Sequence, residues 1–115
     1  TSTAAAGATA NANAAEVATS ADRSVMVSVT EMLANEHNKL AVRLRDKGRA
    51  AAAREVMLKN ASFLRRRAKT LNSPKLRKMK NRVDEDSNEM EKGNWQKARK
   101  RMYKRSYEVQ SQQAY

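Results

Sequence analysis

No cysteine occurs in the 115 residues, which excludes disulfides and thiolate metal sites and leaves the redox compartment open. Isoleucine is absent too, and the aromatic residues are one Phe, one Trp and three Tyr, so few side chains are large enough to build a core. No apolar run approaches the ~20 residues that a membrane helix needs, and no charged-then-apolar signal segment precedes the rest. A single histidine, His37, stands without the Cys, His or acidic partners at workable spacing that zinc binding or acid–base catalysis requires. Its neighbour Glu36 points to another face of a helix. The chain is therefore expected not to be an enzyme and to carry no cofactor.

Alanine and positive charge are abundant instead. Twenty residues are Ala, against 8 Val, 7 Leu and 6 Met. Alanine is the best helix former but buries little area, and burial is worth roughly 25 cal/mol per Å². This composition predicts helices with a thin core, modest independent stability and need of a partner. The formal charge of +12 is common among small helical nucleic-acid binders. Its distribution is uneven: residues 49–82 hold 12 Lys/Arg against Glu55 alone, 84–91 hold five acids and no base, and 92–105 hold seven Lys/Arg. Blocks of opposite sign suit helix faces that pair with one another at least as well as a continuous stripe for phosphates.

Residues 1–21 are small and low in complexity, and they read as a flexible linker or an edge strand. The chain opens on Thr1 rather than Met, as a processed product or the end of a longer polypeptide would. Asp22 or Ser24 is suited to cap a first helix over about 23–47, on which Met26, Val29, Leu33, His37, Leu40 and Leu44 form one stripe by steps of three and four. Gly48 sits where a left-handed residue past a helix end is wanted. A second helix over about 50–71 places Ala53, Val56, Met57, Asn60, Leu64, Ala68 and Leu71 on one side, with Phe63 at the edge. Ser73-Pro74 marks the next boundary, Ser as cap and Pro at the first helical position. A third helix over about 74–92 has Leu76, Met79, Val83 and Met90 in phase. Gly93 ends it, and Asn94 caps a fourth over about 94–107 with Trp95, Ala98 and Met102 in phase and Val109 continuing the phase, before a polar tail, 109–115.

Gly48 is followed by Ala53 and Met57, and Gly93 by Ala98 and Met102, at the same offsets of five and nine. Repeat hairpins place a small residue after the turn in this way to let paired helices approach. The expected fold is all-α: two helical hairpins of about four helices, arranged as a small bundle or a tetratricopeptide-like pair, spanning 22–108 behind the Ala-rich segment.

Three constellations remain. Asp84, Asp86 and Asn88 begin a D-x-D-x-N calcium loop, but Glu89 stands where Gly is required and Trp95 where a bidentate Glu is required. They are expected to form an acidic helical face answering the arginines of the second helix. Arg65, Arg66, Arg67, Lys69, Lys75, Arg77, Lys78, Lys80 and Arg82 make the best phosphate-contacting patch, although three consecutive arginines spread around a helix and cannot all face one strand. Trp95, Tyr103, Tyr107 and Tyr115, interleaved with Lys, Arg and Gln, are candidates for a protein partner's surface, with core packing the plainer role for Trp95 and a frayed end for the tyrosines.

The run from Ser24 to Leu71, with Leu44-Arg45-Asp46-x-Gly48 and Asn60-Ala61-x-x-Leu64, and then Trp95-x-x-x-Arg99-Lys100-x-Met102 leading to Tyr107 and a Tyr/Gln-rich end, resembles the C-terminal helical region of bacterial von Willebrand factor type A domain proteins. The likeness covers about residues 20–115. It implies a protein–protein interaction or assembly module at the cell envelope or surface, whose partner is another protein or the rest of a larger polypeptide. In that family the helices follow a metal-binding α/β domain and a β-sandwich; neither lies in this chain, so no metal role falls on its residues. The charge of +12 is foreign to the resemblance and sustains the alternative of an intracellular ribonucleoprotein component.

Overall fold

Four α-helices follow one another among the described residues: α1 (Ala12–Asp46), α2 (Ala50–Thr70), α3 (Pro74–Glu91) and α4 (Trp95–Gln113). The computed structural model describes residues 12–91 and 95–113, and for 12–19, 91 and 113 the backbone alone. The all-α expectation holds. α1 packs on α2, α2 on α3, and α4 closes the ring against α1 and, less extensively, α3, while α1 and α3 barely meet across the diagonal. That cyclic order is a small bundle, not a pair of stacked repeat hairpins.

The two turns joining α1, α2 and α3 use the same device. Past α1, Gly48 has φ +80, its N–H donates to the Arg45 carbonyl at 3.0 Å, and the Arg49 N–H donates to the Leu44 carbonyl at 2.9 Å. Past α2, Asn72 has φ +47, its N–H reaches the Lys69 carbonyl at 3.3 Å and the Ser73 N–H reaches the Ala68 carbonyl at 2.9 Å. Both pairs of bonds satisfy carbonyls that the helix end leaves open, and both need one left-handed residue. Pro74 then starts α3, with the Ser73 Oγ accepting from the Leu76 N–H at 3.2 Å, as the Ser-Pro boundary predicts. Gly93 and Asn94 lie outside the described residues.

Alanine lines the interior. Ala34, Ala41, Ala53, Ala61, Ala68 and Ala98 are buried together with Met57, Leu64, Leu76, Val83, Met90, Trp95 and Met102. The inward stripes expected on α2, α3 and α4 are the ones found, and Ala53 and Ala98, each five residues after a glycine, are both fully buried.

Three expectations are corrected. The Ala-rich start is neither linker nor strand over 12–21: α1 begins at Ala12, well before the caps proposed at Asp22 and Ser24, because Ala carries the highest helix propensity and no breaker interrupts the run. The polar tail is helical to Gln113, with no Gly or Pro to stop it. On α1 the stripe is misassigned. Val29, Leu33, His37 and Leu40 face outward, whereas Thr30, Glu31, Ala34, Asn35, Ala41 and Val42 are buried. Small residues face the bundle because both α2 and α4 must lie close to α1, and Ala permits that approach.

At about 1.5 Å per residue α1 is ~52 Å long and α2 only ~32 Å, so the N-terminal stretch of α1 runs some 20 Å past the bundle. Ser20 to Val25 are all exposed, as that overhang requires.

Candidate functional site

α4 carries the aromatic candidates, and its position is fixed at its first turn. The Trp95 indole N–H donates to Asp46 Oδ1 at 3.3 Å, and Arg99 Nε donates to both Asp46 oxygens at 3.0 Å. The Arg45 guanidinium lies over the Trp95 ring, 5.5 Å from its centroid. The last turn of α1 thus holds the start of α4. Trp95 is 7% exposed and belongs to the core, which removes it from the partner-binding set.

Tyr103 and Tyr107 behave differently. They are 44% and 71% exposed, lie one turn apart on the same face, and continue a row begun by Arg99, whose guanidinium sits 4.8 Å from the Tyr103 ring centroid. Tyr115 lies outside the described residues. Arg99 is engaged on one side by Asp46 and on the other by Tyr103, so both side chains are held in place.

The acidic run answers α4 and not the arginines of α2. Asp86, whose side chain is 3% exposed, receives Arg101 at 3.0 Å and Arg105 at 2.6 Å, and Arg101 also pairs with Glu89. The reason is topological: the acids lie on the C-terminal half of α3, which faces its antiparallel neighbour α4, while Arg65–Arg67 lie at the other end of the bundle. Burial raises the Asp86 carboxyl above its ordinary value of 3.8, against the opposing pull of the two guanidinium groups, and the bonds to Glu89 and Asp86 raise Arg101. Asp84 pairs with Lys80 at 2.7 Å, and Asn88 is exposed. The three oxygen-bearing side chains of D-x-D-x-N therefore stand on a continuous helix, each in a different setting. Among the described residues no group of three or more His, Asp or Glu is placed to hold a metal ion.

Beside Asp86 a cleft of about 320 Å³ opens between α1, α3 and α4, lined by Glu31, Lys75, Arg82, Asp86, Arg105 and Ser106 among others. Its charges are largely spent on one another: buried Glu31 takes Lys75 at 3.4 Å, Asp86 takes the two arginines, and the Ser106 hydroxyl donates to Asn35 Oδ1 at 2.9 Å. This polar seam fastens α4 where apolar contact is sparse.

The basic patch divides. Lys75 is committed to Glu31, Lys80 to Asp84, and Arg67 lies over Phe63 with its guanidinium 5.4 Å from the ring centroid. Arg65, Arg66, Lys69, Arg77, Lys78 and Arg82 are exposed and have no ion pair among the described residues. Arg65, Arg66, Lys69 and Arg77 flank the α2–α3 turn and concentrate positive charge at that end of the bundle, while Lys78 and Arg82 stand farther along α3 at the cleft. His37 is exposed and meets the Phe63 ring edge-on at 6.3 Å, as a packing contact.

Comparison of the chain with models of protein families, with curated proteins and with solved structures finds no match. Function must be argued from these surfaces.

The residues that sequence reasoning missed are Asp46, Arg101 and Arg105 as partners of named groups, and Val25, Met32 and Leu58 as exposed apolar side chains. The acidic block at 84–91 and the basic block at 92–105 were a usable signal for the α3–α4 seam. The pairing of Asp46 with Trp95 and Arg99 joins residues 49 and 53 apart and leaves no local trace.

Proposed function

We propose that this chain is a non-enzymatic, all-helical protein–protein interaction module, serving the assembly role that the C-terminal helical region has in bacterial von Willebrand factor type A domain proteins at the cell envelope. The observation that carries the reading is the row Arg99, Tyr103 and Tyr107 on α4: aromatic and arginine side chains, pre-positioned by Asp46, on an exposed face. Arg and Tyr are the residue types that dominate binding energy at interfaces, and an arginine already ordered loses less side-chain entropy when a partner arrives. The resemblance adds support, since Asp46 and Arg99 both belong to its most telling motifs.

The test is capture of a partner from extracts of the source cells by the chain and by its Tyr103→Ala/Tyr107→Ala variant, with far-UV circular dichroism as a check of folding. Loss of a captured band at unchanged helicity is the expected result; undiminished capture refutes the assignment of this row. A reading frame that continues upstream into a metal-binding α/β domain of the kind the resemblance implies would name that domain as the first partner to try.

A second reading rests on a separate observation, the six basic residues at and beyond the α2–α3 turn that are exposed and have no ion pair among the described residues. They suit phosphate contacts in a ribonucleoprotein particle. Retention on RNA or DNA that falls steeply with salt supports it, because each neutralised phosphate releases counterions; no retention at low salt refutes it.

A further inference from the structure

α1 buries Val42 and half-buries Met26, Val27 and Leu44, but five of its other large apolar side chains lie on the wrong side for a helix of a monomeric bundle. Val25, Val29, Met32, Leu33 and Leu40 are 60, 41, 52, 45 and 38% exposed. At 100° per residue they fall within an arc of roughly 100°, about opposite the buried arc of Ala34, Ala41 and their neighbours. They leave on the order of 400 Å² of apolar surface in water, a patch of the size that marks interaction sites. Positive charge does not bar a like chain from this face: α1 holds four bases and five acids, so the whole excess of the +12 chain lies elsewhere.

The order of residues along the stripe selects the occupant. Two antiparallel copies of α1 related by a two-fold axis midway between Met32 and Leu33 set Met32 against Leu33, Val25 against Leu40 and Asp22 against Arg43, each twice. Asp22 and Arg43 are exposed, lie on the same stripe and have no ion pair among the described residues. An apolar centre closed at both ends by opposite charges is thus built into one helix, and only the antiparallel arrangement uses it; a parallel pair would place Asp22 on Asp22. The one mismatch is Val29 against Glu36, whose carboxylate already turns to Lys39 at 3.5 Å. In the same register residues 19–24 of each overhang lie beside the last turns of the other α1, residues 41–46, so the part of the overhang nearest the bundle gains a neighbour where isolated helix is marginal in water.

We propose that the outward face of α1 is a self-association surface, and that the chain forms an antiparallel, two-fold symmetric dimer through Val25, Met32, Leu33 and Leu40. Two such patches bury on the order of 800 Å² of apolar surface, and the flanking charged stems bring the contact to the lower end of stable interfaces. This surface is separate from the tyrosine row of α4, so either reading can fail alone.

Sedimentation equilibrium of the full chain tests it. The expected mass is twice the 12.9 kDa of one chain at tens of micromolar. Leu33→Lys, at an outward position, leaves the helical signal unchanged and weakens dimerisation at least tenfold. Glu36→Leu, which removes the mismatch, strengthens it at least tenfold. Asp22→Arg weakens it several-fold, and adding Arg43→Asp restores it, an outcome specific to the antiparallel register. A chain that stays monomeric up to roughly 200 µM overturns the proposal. So does a dimer indifferent to Leu33→Lys, and so does failure of the charge swap to restore association.

Discussion

Asn60 offers the sharpest test of how the α1–α2 pair is held. It is 2% exposed; Nδ2 donates to the Ala34 carbonyl at 3.0 Å and to Asn38 Oδ1 at 2.9 Å, while Oδ1 is buried with no donor among the described residues. Asn60→Ala removes two neutral hydrogen bonds worth ~1 kcal/mol each, and recovers ~1–2 kcal/mol because the unpaired oxygen goes too. The space vacated, about 40 Å³, costs ~1 kcal/mol at 24 cal/mol per Å³. The sum is a loss of about 1–2 kcal/mol. Asn60→Leu loses the same bonds but leaves less void and gains apolar contact, so it is expected to lie within about 1 kcal/mol of the parent. Asn60→Asp points a carboxylate at two acceptors in a buried site and should cost more than ~3 kcal/mol at neutral pH. Urea unfolding followed by circular dichroism, with m-values compared, measures all three. The predicted order is Leu, then Ala, then Asp. An Asp variant as stable as the Ala variant would refute the donor role assigned to Nδ2.

Other expectations follow from the turns, the buried acid and the α4 seam. Gly48→Ala meets no atom within 4 Å but must hold φ +80, so it should cost about 1–2 kcal/mol of backbone strain; Asn72→Ala should cost about 1 kcal/mol and Asn72→Gly almost nothing. Denaturant midpoints check the set, and a neutral Gly48→Ala would refute the left-handed cap. The Asp86 carboxyl, raised by burial, should titrate above 3.8 by carbon-detected NMR. The folded state then holds this proton more tightly than the unfolded chain, so the contribution of this group is fully present below 3.8 and is lost as pH rises through its folded value. A titration at or below 3.8 would show that the guanidinium groups prevail over desolvation. Finally, amides of α4 should exchange with deuterium before those of α2, and faster still in high salt, because charge pairs hold its central turns; uniform exchange across both helices would contradict the polar seam.

The sequence was most legible where a large apolar side chain and a small one alternate on a helix with a single packed face. On α2, Ala53, Met57, Asn60, Leu64 and Ala68 were read as one inward stripe and are all buried. Gly48 and Ser73-Pro74 were readable because each has one strong local reason to be there, a left-handed backbone and a capped first turn. Asn72 performs the task of Gly48 and passed unnoticed, since Asn tolerates the left-handed region without requiring it. α1 was misread because periodicity reports that an apolar stripe exists, not which way it faces, and size pointed to Val29, Leu33 and Leu40. The candidate surface was legible only in part. Tyr103 and Tyr107 were identified, but their ordering through Arg99 and Asp46 depends on two helices that meet only after folding.

Unequal fastening of the four helices links the thin core to the proposed role. α1, α2 and α3 share Ala34, Ala41, Ala53, Met57, Ala61, Leu64, Ala68, Leu76 and Val83, a continuous apolar stack in which alanines bring backbones close. α4 contributes Trp95, Ala98 and Met102 near its start, and beyond them relies on Arg101, Arg105 and Ser106 reaching Asp86, Glu89 and Asn35. Charged pairs on buried acids stabilise weakly once desolvation is counted, yet they tolerate one geometry, so they fix orientation more than they add stability. The helix that displays Tyr103 and Tyr107 is therefore aimed by its polar partners and held loosely by its apolar ones. A partner that grips the tyrosine row also stabilises the docking of α4, and substitutions at Asp86, outside that row, or at Asp46, behind Arg99, should weaken its binding by releasing the helix.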